Sequence, residues 1–366
     1  MKNFLFAAIV FMSIIAGAII YLSNRYALFF GLETPVYLYA IFASAILVMI
    51  LSLINYTKTT AALGSTAIKV GGVAMGFFIV MLLVTLMLDF AFIFMPFSLT
   101  LKGEIMLFTA IGLTIFAVWN SYYVRIRERI IVIPELSKSI KALHLTDTHL
   151  GHFRGAKTLQ KIVNKINKAN VDVVFFTGDI LDSRVQLKLE SMRPLALLNV
   201  PVFFVEGNHD HATGVLAIKQ YLRQIGVRVL ENEVTEWNGI QIIGLNHMAA
   251  DSKSPNAFVD TLGPTIKSVL SELNIVKNKP SILLHHSPDG VAYANEAGVN
   301  LYLAGHTHAG QMFPATIVAS SMFAYNKGLH QFKETFINVC QGTGTIGPPM
   351  RLGTISEMNI LYLNPV

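Results

Sequence analysis

Two rhythms divide the chain. As far as residue 123 it runs in four long apolar stretches, at about residues 4–22, 36–54, 70–97 and 105–123. Each supplies about the 20 residues that a helix needs to cross a hydrocarbon layer of about 30 Å. Helix is the state that satisfies their backbone groups in lipid. From residue 130 the apolar runs shorten. Stretches at 130–133, 141–146, 171–176, 201–205, 227–230, 240–244, 281–284, 301–304 and 335–339 predict strands. Between them, Leu159, Ile162, Val163 and Ile166 recur at helical spacing and predict a helix over 157–169. A second helix is expected over 215–225, ended by Gly226, and a third over 264–273, with Pro264 in its first turn. Strands alternating with helices predict an α/β domain around one large core. The expected division is a transmembrane region with four helices at 1–124, a juncture and first strand at 125–140, and the main domain at 141–366.

Composition supports the membrane half. Hydrophobic residues make up 53% of the chain and charged residues 14%, against about 25% charged in an ordinary soluble protein. The small-residue stretch Ala16-Gly17-Ala18 resembles a signal-peptide cleavage site, but apolar residues continue to Leu22, so a retained first helix is expected. Lys2, Lys58, Lys69, Arg125, Arg127 and Arg129 fall on one side of the spans, and Arg25 and Lys102 on the other. The positive-inside rule then places the amino terminus and the main domain in the cytoplasm, on a multi-pass protein of the cell (inner) membrane. Asp89 is expected near the end of its span, within reach of headgroups.

The net charge of +6 lies mostly in the apolar half, where residues 1–130 hold eight Lys/Arg against four acids. The remainder is close to neutral, which argues against a nucleic-acid partner. Lys157, Lys161 and Lys165 mark a solvated helix face. One cysteine, Cys340, excludes an intrachain disulfide and a Cys-rich zinc site. All 11 histidines lie at or after His144.

Many of those histidines fall where strands end. Five strand ends carry polar clusters: Asp147-Thr148-His149, Gly178-Asp179-Ile180-Leu181-Asp182, Gly207-Asn208-His209-Asp210, His285-His286-Ser287-Pro288 and Gly305-His306-Thr307-His308. The carboxyl ends of strands in an open α/β sheet form the site crevice, so the five can converge. Carboxylates, imidazoles and an amide without thiolates suit divalent ions such as Mn, Fe or Zn. Spacing of two in Asp147-x-His149 and His306-x-His308 turns both side chains of each pair the same way on extended chain. Two ions would need a bridging carboxylate, and Asp179, after Gly178, is the candidate.

In this order the motifs resemble the calcineurin-like metallophosphoesterase superfamily over about residues 130–366. The later Gly342-Thr343-Gly344-Thr345, Pro348-Pro349-Met350-Arg351 and Glu357 look like its membrane-anchored bacterial branch, which usually has Gly where Ala309 stands. The resemblance implies a four-layer αββα sandwich and two divalent metal ions. Asp147, His149, Asp179 and His308 would hold one; Asp179, Asn208, His286 and His306 the other. His286 is preferred to His285 because it lies two residues before Pro288. His209 would meet the leaving-group oxygen, and Asp182 would orient it.

The expected activity is hydrolysis of a phosphoester or pyrophosphate bond. The bilayer is the expected partner, and a lipid-linked substrate is favoured by the anchor; one member of the superfamily cleaves UDP-diacylglucosamine. The competing reading is a membrane sensor or scaffold whose domain binds without turnover, and a transporter rests on Asp89 alone. Around the site, His144 is expected in the core and His330 in a structural place. His152, Arg154, Arg184 and the Asn246-His247 pair are candidate phosphate or substrate contacts, and His211 a support for His209.

Overall fold

The computed structural model describes residues 2–253 and 263–366. The chain forms two compact units. The first is built from α1 (Lys2–Phe29), α2 (Val36–Asn55), α3 (Ala62–Ala91) and α4 (Leu99–Tyr122), with Gly347–Met350 packed among them. Among the described residues, three apolar stretches, Met12–Phe29, Ala62–Phe94 and Leu99–Tyr122, are long enough to cross a membrane; that of α2, Val36–Ser52, is shorter. Close helix approach is served by small residues. A Cβ on Gly71 would stand 2.7 Å from Ser52 Oγ of α2. Asp89 lies two residues from the end of α3, where it accepts a hydrogen bond from Tyr21 Oη at 2.6 Å and pairs with Arg25.

The second unit contains two six-stranded sheets. Its strands are β1 (Arg125–Val132), β2 (Ile140–Leu145), β3 (Val173–Thr177), β4 (Val202–Val205), β5 (Arg228–Val229), β6 (Glu233–Trp237), β7 (Ile240–Gly244), β8 (Ser281–Leu284), β9 (Leu301–Ala304), β10 (Gly328–Phe332), β11 (Thr335–Val339) and β12 (Glu357–Asn364). One sheet has the order β1-β12-β2-β3-β4-β5, the other β10-β11-β9-β8-β7-β6. Its helices are α5 (Ala156–Lys168), α6 (Leu189–Met192), α7 (Asn208–Thr213), α8 (Val215–Gln224), α9 (Ile266–Glu272), α10 (Val291–Glu296) and α11 (Ala315–Met322).

Period-two alternation sorts the strand side chains into layers. Val173 and Phe175 of β3 join Ile282 and Leu284 of β8 and Leu301 and Leu303 of β9 in the core between the sheets. Val174 and Phe176 face the other way, onto Leu159, Ile162, Val163 and Ile166 of α5 and Ile218 and Leu222 of α8. Beyond the second sheet, Leu283 and Tyr302 pack with Ile266 and Val269 of α9 and Val291 of α10. The fold is thus a helix–sheet–sheet–helix sandwich, the expected αββα class.

Three details differ from expectation. Arg125–Arg129 is part of β1, whose eight residues pair in parallel with β12. Its charges belong to an edge strand, where they guard an unpaired edge. Pro264 stands outside α9, which is capped instead by Thr265, whose hydroxyl accepts from Ser268 N at 3.2 Å. Strands β6, β10 and β12 and the short helices α6, α7, α10 and α11 are additions.

Candidate metal centre

The parallel strands β2, β3 and β4 of one sheet and β7, β8 and β9 of the other end toward one set of loops. Those loops, with the first turn of α7 that holds Asn208 and His209, carry all nine site residues expected from the sequence. Asp147, His149 and His308 come within 4.8 Å of one another by their ligand atoms, as do Asp147, Asp179 and His286, and also His149, Asp179 and His209.

The backbone is bent to make this possible. Asp147, His149, Asp179, His306 and His308 all have φ between 44° and 70°, a left-handed region that non-glycine residues adopt at a cost and that clusters at functional sites. Glycines give the carboxylates room. A Cβ on Gly207 would collide with Asp179 Oδ1, and one on Gly305 with Asp147 Oδ2.

Each of the two carboxylates has one oxygen fixed by hydrogen bonds and one turned to histidines. Asp147 Oδ2 accepts from Thr146 Oγ1 at 2.7 Å and His306 N at 3.1 Å. Asp147 Oδ1 makes no hydrogen bond and lies 3.3 Å from His308 Nε2, 3.5 Å from His149 Nε2 and 4.0 Å from His286 Nε2. Asp179 Oδ1 accepts from His209 N at 2.8 Å. Asp179 Oδ2 lies 3.1 Å from His286 Nε2 and 3.7 Å from His149 Nε2. His286 Nδ1 donates to Thr177 O at 2.7 Å, which leaves Nε2 for the centre. Fixing one ring nitrogen in this way is how metal-ligating histidines are oriented. His285 directs its own Nδ1 to Ser287 O at 2.8 Å. Beside them, Asn208 Oδ1 and His306 Nδ1 are 3.0 Å apart.

The donor chemistry fits divalent cations. Buried polar atoms are normally satisfied, yet Asp147 Oδ1 and His286 Nε2 are buried here without a hydrogen bond. Electrostatics agree. Burial pushes Asp147 up, but His308, His149 and His286 outweigh it and hold its carboxyl well below the usual range. Burial likewise opposes the charged form of Asp179, and His286 and His209 hold it low. Burial acts against a proton on His149 and His286, yet Asp147 and Asp182 raise the first to about 10, and Asp179 raises the second to about 9. His306 and His308, by contrast, are lowered by burial to about 3 and about 4.

His209 has a distinct setting. Its Nδ1 lies 2.8 Å from Asp182 Oδ1, and its side chain is 25% exposed, whereas those of Asp182 and His149 are shut away. Burial lowers its pKa, but Asp179 and Asp182 prevail and the net shift is upward.

Among the remaining candidates, Arg154 donates to Thr345 Oγ1 at 2.6 Å and Ser121 O at 3.1 Å, and His152 Nε2 meets Ser183 Oγ at 3.0 Å. His144 is a core residue between Thr177 Oγ1 and Asn338 Nδ2. His211 pairs with Glu206 at 2.7 Å. Arg184 is exposed, and His330 is an exposed residue on β10. His247 lies at the site: its ring centroid is 5.6 Å from that of His286 and 6.0 Å from that of His306, and neither ring nitrogen has a hydrogen-bond partner.

Two further residues support the site without belonging to the expected set. Asp210 accepts from the backbone N–H groups of Asp179 (2.8 Å), Gly207 (3.0 Å), Ile180 (3.0 Å) and Leu181 (3.3 Å), and so holds the Asp179 loop. The fully buried Arg351 donates to Gln341 O at 2.6 Å and Gly344 O at 2.8 Å and lies 3.1 Å from His308 Nδ1. Their place within the Gly-Asn-His-Asp and Pro-Pro-Met-Arg motifs was the available signal.

Strand-end carboxylates and histidines gathered around Asp147 and Asp179, on an αββα sandwich, form clusters able to hold metal ions. The family model for calcineurin-like phosphoesterases matches residues 140–310. An uncharacterized metallophosphoesterase of Helicobacter pylori is 31% identical over 256 residues, which cover 68% of this chain and 67% of that protein. A transmembrane protein with a metallophosphoesterase domain from Danio rerio is 33% identical, over 63% of this chain and 54% of its own length. Among solved structures, a novel archaeal phosphodiesterase aligns at 14% identity and a TM-score of 0.32, over 55% of this chain and 82% of that one. The chain belongs to the calcineurin-like metallophosphoesterase family, and its N-terminal helices are those of a membrane-associated protein.

Proposed function

We propose that the chain is a membrane-anchored phosphoesterase that hydrolyses a phosphoester or pyrophosphate bond at a site for two divalent cations. The observation that carries this reading is Asp147 Oδ1, buried, without a hydrogen bond and faced by the nitrogens of three histidines. Asp147, His149, Asp179 and His308 are assigned to one ion, and Asp179, Asn208, His286 and His306 to the other, with Asp179 shared. Divalent cations at such a centre lower the pKa of water and neutralise phosphoryl charge.

The protein's own part is positional. Thr146, Thr177 and Asp210 set the carboxylates and His286 in orientation. Asp182 accepts from His209 Nδ1, which directs Nε2 of the partly exposed ring outward to donate to the departing oxygen. Such a donor contributes about 10²–10⁴-fold in rate. His247, with both ring nitrogens unengaged, is assigned to the substrate side.

The bias of Lys and Arg supports a place for this unit on the cytoplasmic face of the cell membrane. An amphipathic, lipid-linked substrate suits the anchor, and UDP-diacylglucosamine is one member of that class to test. Metal analysis of the full chain, with phosphomonoester, phosphodiester and pyrophosphate substrates, tests the proposal. Turnover that needs divalent metal supports it. Metal binding with no hydrolysis across the panel supports the sensor reading instead.

A further inference from the structure

An apolar helix lies open on the second unit. In α11 (ATIVASSM) only Ala319 is buried. Ile317, Val318 and Met322 are 61%, 54% and 66% exposed, and Phe313 and Ile346 beside them are also exposed. Gln311 holds this group together: its Nε2 donates to Ile346 O at 2.9 Å, and its Oε1 accepts from Ile346 N at 2.8 Å. Contiguous exposed apolar surface of this kind marks an interaction site.

Two features say what covers it. First, a cavity of about 420 Å³ adjoins the helix and is lined by Arg127, Arg129 and Lys327, with Glu357 as its acid. A Cβ on Gly353, also in its lining, would stand 3.7 Å from Thr316 Cγ2 and 3.9 Å from Phe313 Cβ, and Asn326, next to Lys327, donates to Ser320 Oγ of α11 at 3.2 Å. Apolar side chains beside cations are the combination that binds an anionic lipid surface. Second, the same chain carries apolar helices that tether it to a bilayer. The helix also leads to the metal centre: Phe323, which ends it, meets the His306 ring edge-on at a centroid distance of 5.8 Å.

We propose that α11 and the Arg127–Arg129–Lys327 cavity dock onto an anionic bilayer surface, and that the metal centre draws a phosphorylated amphiphile from that surface. The docking stands alone; the second clause rests on the phosphoesterase reading.

The test uses the full chain, one copy per nanodisc. Cys340 is buried, so a Val318→Cys variant accepts a bimane label at one place. Docking predicts loss of emission with brominated phospholipid, greater in discs with phosphatidylglycerol than with phosphatidylcholine alone, and little loss with aqueous iodide. Quenching by iodide alone overturns the proposal. Protection from both quenchers places a protein segment on the helix and overturns it too. A matched Ile317→Glu/Val318→Glu variant should lower turnover of phosphatidic acid in the discs by at least about tenfold, because two apolar side chains leave lipid, and leave p-nitrophenyl phosphate turnover unchanged. Equal loss on both substrates overturns the amphiphile clause. If the wild type splits neither of these monoesters, nor a phosphodiester or a pyrophosphate, the phosphoesterase reading and that clause fail together, and the bimane result still decides the docking.

Discussion

Single side chains at this site do separable tasks. His209 lies beside the proposed ligands, but Asp182 engages its Nδ1 and its ring reaches solvent. His209→Ala should retain two metal ions per chain, by elemental analysis, while turnover falls about 10²–10⁴-fold. Loss of metal would make it a ligand instead. Ala309 offers a second test. It is buried with φ of 51°, a conformation that costs an L-residue about 1–2 kcal/mol and glycine almost nothing. Ala309→Gly should raise stability by about 0.5–1 kcal/mol, after the entropy that glycine gains in the unfolded chain, read as a higher Tm. The branch that the sequence resembles usually has glycine here, and the backbone supplies the reason.

Loops after strands are where these tasks are coordinated. Asp210 joins the loop after β4 to the loop after β3 through four backbone N–H groups. Asp210→Ala leaves those donors buried without an acceptor, at about 1–3 kcal/mol each for those not re-satisfied. It should lower Tm and release metal although Asp210 is not a proposed ligand; normal metal content would contradict that role. The strand ends and their ligand types were legible in the sequence because a buried strand is a continuous apolar run and a functional loop interrupts it with charge. What was not legible has equally physical causes. The sequence of β1 resembles a juncture in part because an edge strand carries Arg125, Arg127 and Arg129 where a central strand would carry Val or Ile. The links between loops, such as Asp210 to Asp179 and Arg351 to His308, depend on left-handed turns that spacing does not reveal.

A cluster on the chain after β4 adds a pH dependence. Glu206 is buried, which raises its pKa, but His211 and the buried Lys219 pull it below its ordinary 4.5. His211 is raised above 6.5, chiefly by its hydrogen bond to Glu206. A lowered carboxylate stabilises the fold above its unfolded value and loses that effect as pH falls through its folded one. A raised histidine stabilises fully below its unfolded value and loses that effect as pH rises through its folded one. Both contributions are therefore present between about pH 4.5 and 6.5. Thermal unfolding across pH should show a Tm decline above 6.5 that His211→Ala diminishes. An unchanged decline would remove His211 from the account.

The chain as a whole couples apolar helices to a domain whose fold gathers donors from both sheets of a sandwich. Hydrophobic burial in three layers fixes where β2, β3, β4, β8 and β9 end, and their loops then have little choice but to converge. The proposed function rests on the few positions where this scaffold tolerates strained backbone and buried polar atoms without a hydrogen bond. Asp179 is the point at which the two proposed cation sites meet, so it bears on both. Elemental analysis of the full chain after exposure to Mn, Fe or Zn, wild type against Asp179→Ala, should find two divalent ions per wild-type chain and one or none in the variant, with hydrolysis lost. A wild-type chain that takes up no divalent metal, or a variant that keeps both ions, would contradict the account.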